Sequence, residues 1–152
     1  MTYLNRLLAV TLATLSLSAL AAPQVTVGEA WVRGTVAAQK ATGAFMQLTS
    51  LRNARLVEAR SPVAGVVEIH QMEMSGDTMV MRQVAGLDLP AGKMVELKPG
   101  GFHIMLLELK GQVKAGDKVP LTLVVEGSDK KRETIEVNAI ARPLSSAGAM
   151  HH

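Results

Sequence analysis

The chain has 152 residues, of which 48% are hydrophobic, 19% are charged and 3% are aromatic, with a formal net charge of +3. It contains nine methionines and four histidines but no cysteine. This length predicts a single domain, and the missing thiol excludes disulfides, thiolate zinc sites, iron–sulfur clusters, blue-copper centres with a Cys ligand, catalytic thiols and a lipid-modified N-terminal cysteine.

Residues 1–21 combine a basic start, an apolar run and the small-x-small sequence Ala19-Leu20-Ala21. This pattern is typical of a secretory signal peptide. The apolar run is shorter than the roughly 20 residues that a membrane helix needs, so an uncleaved anchor is the less favoured alternative. We predict cleavage after Ala21, a periplasmic location and a mature chain without an integral membrane segment.

Short β-rich runs follow, separated by turn residues. They lie near 24–33, 42–50, 55–59, 65–74, 78–84, 93–97, 102–109, 119–126 and 133–141. Many short strands at regular spacing predict an all-β fold, an antiparallel β-sandwich or barrel. We expect this domain to span residues 22–142 and a flexible tail to span 143–152. Basic residues are scattered among acidic ones and aromatics are few, which predicts no nucleic-acid-binding surface.

The segment around Gly76-Asp77 predicts a β-hairpin. Glycine supplies the positive φ that the first central position of a two-residue type II′ turn requires, and this turn pairs Ser75 with Thr78. Because side chains alternate across a strand, one face then carries His70, Met72, Met74, Met79 and Met81. The opposite face carries Glu73 and Arg82, and we expect it to meet solvent.

A second histidine–methionine pair, His103 and Met105, shares one strand face, roughly 7 Å apart at about 3.3 Å per residue. The turn Pro99-Gly100-Gly101 just before it places His103 near the beginning of its strand, where a site would be open to partners. On the hairpin, His70 and Met81 are diagonal neighbours about 7–8 Å apart at the backbone. Their side chains could reach one small ligand.

Imidazoles and thioethers together form a soft, neutral ligand set that favours Cu(I), whereas zinc normally adds thiolate or carboxylate ligands. Methionine is also a flexible core filler. Spacing alone therefore leaves two interpretations open for Met72, Met74 and Met79: metal-binding positions, or ordinary core and surface positions. Met46 and Met94 lie in apolar strand patterns, which predicts that both are buried in the core.

The spacing H-x10-M-x21-H-x-M, formed by His70, Met81, His103 and Met105, resembles the periplasmic copper chaperone family PCuAC. Segments around it are also similar to the family, among them Ala30-Trp31-Val32-Arg33, Thr42-Gly43-Ala44-Phe45, Glu68-Ile69-His70 and Leu97 to Met105. The resemblance implies a cupredoxin-like β-sandwich without a blue-copper centre. It also implies that the four motif residues bind Cu(I).

In this family the role of the protein is to bind Cu(I) and pass it on, notably toward the dinuclear copper site of cytochrome c oxidase. The resemblance therefore implies copper-accepting or copper-donating periplasmic proteins as partners, with subunit II of that oxidase as one candidate. Some members carry a Met/His-rich C-terminal extension that holds Cu(II). Here the tail offers Met150, His151 and His152. These three residues are either an auxiliary copper site or a chance tail end or tag remnant.

We therefore predict a copper-delivery protein and not an enzyme. No H-E-x-x-H motif, phosphate loop or Ser-His-acid motif indicates hydrolase chemistry. One alternative is a periplasmic copper buffer that confers tolerance, which needs the same site. A further alternative is a secreted β-sandwich that binds other proteins without metal.

Overall fold

The computed structural model describes residues 24–144. Their ten strands are β1 (Val25–Arg33), β2 (Ala41–Ser50), β3 (Ala54–Arg60), β4 (Ala64–Ser75), β5 (Thr78–Gln83), β6 (Leu87–Leu89), β7 (Met94–Leu97), β8 (Phe102–Leu109), β9 (Lys118–Gly127) and β10 (Arg132–Arg142). The predicted all-β class is confirmed. Strand β6 was missed because three residues are too few to display an alternating pattern.

The signal-peptide prediction for residues 1–21 and the tail residues Met150, His151 and His152 lie outside the described residues. Between residues 24 and 144, the structure has no helix with the length and apolar character that a membrane crossing requires.

Nine strands follow one hydrogen-bonded path, in the order β5-β4-β8-β2-β1-β10-β9-β3-β6, and β7 pairs with β2. Neighbouring strands are antiparallel, with one exception: β1 runs parallel to β10. Strands β3 and β4 are far apart along this path but pack against each other. The path therefore folds back over a shared core, as expected for a β-sandwich.

The core is built by alternation along the strands. Strand β9 illustrates this, because Val119, Leu121, Leu123 and Val125 are buried at every second position. Side chains from nine of the ten strands join the same buried cluster. This single core holds the two faces of the fold together.

The two methionines expected in the core behave differently. Met46 is buried opposite Leu97, which confirms the prediction for that residue. The prediction for Met94 is wrong, because its side chain is 51% exposed. Strand β7 turns Leu97 toward the core, and alternation therefore turns Met94 and Glu96 outward.

The hairpin formed by β4 and β5 has the predicted register, with Ser75 opposite Thr78 and Met72 opposite Met81. Gly76 has a φ of 62°, the positive value that the first central position of a type II′ turn needs. On the face away from the methionines, Arg82 pairs with Glu73 at 2.8 Å, and both side chains are accessible to solvent. This confirms that the polar face of the hairpin meets water.

Candidate metal centre

The two histidines of the described chain lie side by side on neighbouring strands. His70 on β4 is directly opposite His103 on β8, and their ring centroids are 5.7 Å apart. The turn before β8 sets this position, since Gly100 has a φ of 85° and the Gly101 N–H donates to the Lys98 carbonyl at 3.0 Å. His103 therefore lies at the start of β8, as its sequence position predicts.

A cavity of about 280 Å³ opens beside these histidines. Three of the four predicted ligands line it: Met81, His103 and Met105. Met72, directly opposite Met81, is also part of the wall. His70 is the immediate neighbour of His103 and not part of the lining.

The exposed fraction differs widely among the side chains of this group. His103 is only 4% exposed, whereas the Met81 side chain is 48% exposed. Met72 and Met105 are half-buried between these extremes. The candidate site thus has a protected imidazole on one side and a solvent-accessible thioether on the other.

Each imidazole has one nitrogen that is already engaged. The His70 Nε2–H donates to Glu68 Oε2 at 2.6 Å, and the His103 Nδ1–H donates to the Gly101 carbonyl at 3.2 Å. A carboxylate and a carbonyl can only accept hydrogen bonds, so these contacts place the proton on the engaged nitrogen of each neutral ring. The second nitrogen of each ring then presents a lone pair, as in metal-binding histidines held by a carboxylate or carbonyl.

Those second nitrogens, Nδ1 of His70 and Nε2 of His103, are both buried and have no hydrogen-bond partner within residues 24–144. A buried acceptor without a partner costs about 1–3 kcal/mol. Two such atoms in adjacent rings would therefore destabilise the folded protein if the two histidines had only a structural role. A bound metal ion would satisfy both lone pairs.

His103 has the protonation state that a metal-binding histidine requires. Burial lowers the pKa of His103 below its ordinary value of 6.5, and electrostatic interactions with the neighbouring His70 and with the Arg33 guanidinium lower this pKa further. The hydrogen bond to Gly101 acts in the opposite direction without reversing the effect. His103 is therefore neutral at pH 7, the form that binds metals.

Several residues of the site were missed by sequence reasoning. Phe45 lies 6.1 Å from His103 between ring centroids, and Trp31 lies 4.5 Å from Phe45. The Arg33 guanidinium carbon is 5.5 Å from the centre of the Phe45 ring, and Arg33 also lines the cavity. The segments 30–33 and 42–45, which resemble the PCuAC family, contain these three residues. Placing them at the site requires the pairing of β1 with β2 and of β2 with β8.

Glu68 was also missed, although its position carried a signal. It precedes His70 by two residues, so strand alternation places both side chains on one face.

The methionines Met74 and Met79 are on this face too, directly opposite each other and beyond Met72 and Met81 on the hairpin. Across residues 24–144, no three His, Asp or Glu side chains gather where they could hold a metal ion. The donor set at the cavity instead combines imidazole with thioether.

Comparison with known proteins supports a relationship over most of the fold. Residues 25–139 match the family described as "Putative lipoprotein LpqE-like". The chain belongs to the LpqE-like family. A curated relative, "Putative lipoprotein Lxx21020" of Leifsonia xyli subsp. xyli, is 33% identical over 100 residues, covering 65% of this chain and 60% of its own length.

A second curated relative, "Uncharacterized protein RP573" of Rickettsia prowazekii, is 30% identical over 113 residues, covering 70% of this chain and 62% of its own length. The chain thus spans about three fifths of the length of the curated relatives that it matches. Both comparisons leave part of each relative unmatched.

Solved structures agree with the resemblance to PCuAC proteins. The copper-bound PCuAC domain from PmoF2 superposes with a TM-score of 0.62 at 21% identity, covering 81% of this chain and 97% of that domain. At this identity the match establishes the fold. The solution structure of CuI-DR1885 from Deinococcus radiodurans is 30% identical, with a TM-score of 0.58 and coverage of 86% and 85%. This LpqE-like chain therefore has the fold of PCuAC domains.

Proposed function

We propose that this protein binds Cu(I) between His70, Met81, His103 and Met105 and passes the ion to periplasmic acceptors. The observation that carries the proposal is the pair of buried, unpartnered imidazole nitrogens next to two thioethers. Copper is the cargo of this site and not a resident cofactor of an enzyme. The copper-bound state of the PmoF2 domain and of CuI-DR1885 supports this choice of metal.

The chemistry of the donors favours Cu(I) over other ions. Thioether sulfur is a soft ligand that selects Cu(I), whereas Mg²⁺, Ca²⁺ and Mn²⁺ prefer oxygen. Zinc sites normally add thiolate or carboxylate ligands, and Glu68 is already engaged with His70. A thioether also cannot form a disulfide, so the site would persist in an oxidising compartment.

The geometry of the cavity suits release as well as binding. Met81 is the exposed member of the group, so an incoming ligand can replace it while the buried imidazole still holds the ion. Four neutral ligands leave the charge of Cu(I) uncompensated, and Arg33 adds a further positive charge at the wall. Both effects favour transfer to a negatively charged thiolate acceptor.

Delivery is proposed toward the dinuclear copper site of cytochrome c oxidase, with subunit II as the acceptor. Export through the N-terminal segment 1–21 would bring the domain 22–142 to the periplasm. The LpqE-like family and the Leifsonia xyli relative are both named as lipoproteins, which supports export. Met150, His151 and His152 of the tail 143–152 are proposed as an accessory Cu(II) site. The protein acts by binding and exchange, without an enzymatic step.

Competition with a chromophoric Cu(I) chelator tests the site directly. We expect one tightly bound Cu(I) per chain and loss of that binding in His103→Ala/Met105→Ala. Met94→Leu is the matched control, because it removes an exposed methionine from a different strand. A stoichiometry near zero, or unchanged binding in the double variant, would refute the proposal.

X-ray absorption of the copper-loaded protein tests the ligand set. Two sulfur and two nitrogen neighbours around a reduced copper ion are expected. A spectrum dominated by oxygen neighbours would contradict the assignment. Delivery and buffering are then separated in cells, since loss of a delivery protein lowers oxidase activity when copper is scarce, whereas loss of a buffer lowers survival when copper is abundant.

A further inference from the structure

The outer end of the β4–β5 hairpin carries two methionines that the proposed copper site does not use. Met74 is 61% exposed and Met79 is 46% exposed. Large apolar side chains gain free energy when they leave water, at roughly 25 cal/mol per Å² of apolar surface. The described chain nevertheless keeps both thioethers in solvent at the same place.

The backbone register brings these two side chains together. Met74 is directly opposite Met79, and Met72 is directly opposite Met81. In a two-residue hairpin the pair that closes the turn exchanges hydrogen bonds, so the next pair is a non-hydrogen-bonded one. Such pairs have Cα atoms about 4.5 Å apart and the closest side chains of an antiparallel ladder. Two thioethers at this separation can bind one ion between them.

The surroundings of the pair favour a soft cation. On the methionine face, the hairpin residues His70, Met72, Met74, Met79, Met81 and Gln83 include no carboxylate. Glu73 is on the opposite face, where it is paired with Arg82. Glu68, farther along β4 on this face, is already engaged with His70. Hard divalent cations therefore find no anionic oxygen among these six hairpin residues, while Cu(I) finds sulfur.

The pair also leads to the cavity. Two residues along each strand, about 7 Å away, lie Met72 and Met81, which both line the cavity with His103 and Met105. The exposed tip offers two thioether donors, whereas the cavity offers more donors, including an imidazole. An ion captured at the tip would therefore move inward toward tighter binding.

We propose that Met74 and Met79 form a second, weak Cu(I) site at the hairpin tip, from which the ion enters the cavity through Met72 and Met81. This inference rests on the proposed function. The tip site has two neutral ligands and open solvent around it, so it exchanges rapidly. Its role is to raise the local concentration of Cu(I) at the mouth of the cavity.

Nuclear magnetic resonance of the full chain with ¹³C-methyl methionine tests this inference under anaerobic titration with Cu(I). The Met81 and Met105 methyl signals report the cavity, and the Met74 and Met79 signals report the tip. We expect the tip signals to shift together in fast exchange, while the Met94 signal stays in place. If the tip signals move no more than Met94 when copper is in excess, the tip site does not exist.

A kinetic measurement tests the role in loading. Met74→Leu/Met79→Leu keeps apolar side chains of similar volume, and it should slow loading of the cavity from a Cu(I)–chelator complex by roughly three- to tenfold. The equilibrium affinity of the cavity should not change, and Met94→Leu should load at the wild-type rate. Wild-type loading by the double variant would overturn the inference. Failure of the proposed function would appear separately, as Met81 and Met105 signals that never respond to copper.

Discussion

His70 and Glu68 share one face of β4, and their side chains meet at 2.6 Å between Nε2 and Oε2. The contact fixes the tautomer of the imidazole and leaves Nδ1 as the buried, unpartnered nitrogen. Carboxylates in this position orient metal-binding histidines and raise their basicity. Glu68 is therefore a positioning residue for the proposed site, two residues from the proposed ligand His70 and outside the H-x10-M-x21-H-x-M pattern.

Replacing this carboxylate should weaken copper binding. In Glu68→Gln the neutral amide holds His70 less firmly, and we expect the Cu(I) affinity to fall by about tenfold. Chelator competition measures the change. Glu73→Gln is the control, because Glu73 pairs with Arg82 on the opposite face of the hairpin, and it should bind copper normally. Equal affinities in all three proteins would contradict the positioning role.

The stability of the metal-free protein should depend on pH through His103. Burial lowers the folded-state pKa of His103 below the 6.5 of an unfolded chain, so the unfolded chain binds the proton first as pH falls. The free energy of unfolding should therefore decrease below pH 6.5, before carboxylates begin to titrate near pH 4. Above pH 6.5 this histidine should contribute no pH dependence.

Urea denaturation at several pH values between about 5 and 8 measures this effect. In His103→Gln the titrating group is gone, so the loss of stability between neutral and mildly acidic pH should be smaller than in the wild type. An identical pH dependence for the two proteins would show that His103 titrates normally in the folded state.

Removing the positive charge of Arg33 should tighten copper binding. Arg33 lines the cavity, lowers the pKa of His103 and has no carboxylate partner in the part of the chain that the structure describes. We expect Arg33→Gln to raise this pKa and to increase the Cu(I) affinity roughly three- to tenfold at neutral pH. Imidazole titration by NMR and chelator competition measure the two effects.

Arg60→Gln is a suitable control for this charge effect. Arg60 pairs with Glu58 on β3 and is not part of the cavity wall. Its replacement removes the same charge from the chain and should leave the copper affinity unchanged. A similar increase in both variants would indicate a general effect of net charge and not a local one.

Glycine at position 43 leaves room for the aromatic wall of the site. A Cβ on this residue would be 2.8 Å from Cζ of Phe45, and Phe45 in turn faces His103. Gly43→Ala should therefore displace the ring, with a loss of roughly 1–3 kcal/mol in the free energy of unfolding and weaker copper binding. Gly111→Ala adds a methyl group in open space and should leave both properties unchanged, as measured by thermal melting and chelator competition.

Local chemistry made some of this architecture predictable. The Gly76-Asp77 turn determines the hairpin register without help from the rest of the fold, which is why the positions of Met72, Met74, Met79 and Met81 on one face were predicted correctly. Strand alternation likewise predicted most strands. Alternation does not indicate which face of the short strand β7 is buried, and for this reason the predicted core position of Met94 is wrong.

The sequence by itself determined the soft character of the donors, the absence of thiols and the spacing that resembles copper chaperones, because these are properties of residue types and their separation. Only the tertiary structure decided that His103 is beside His70, that Phe45 and Arg33 complete the wall, and that Met81 is the accessible side of the group. These relationships depend on pairing between strands that are far apart in the chain. The strands pair in this way because the pairing buries their apolar faces, and not because of local strand propensity.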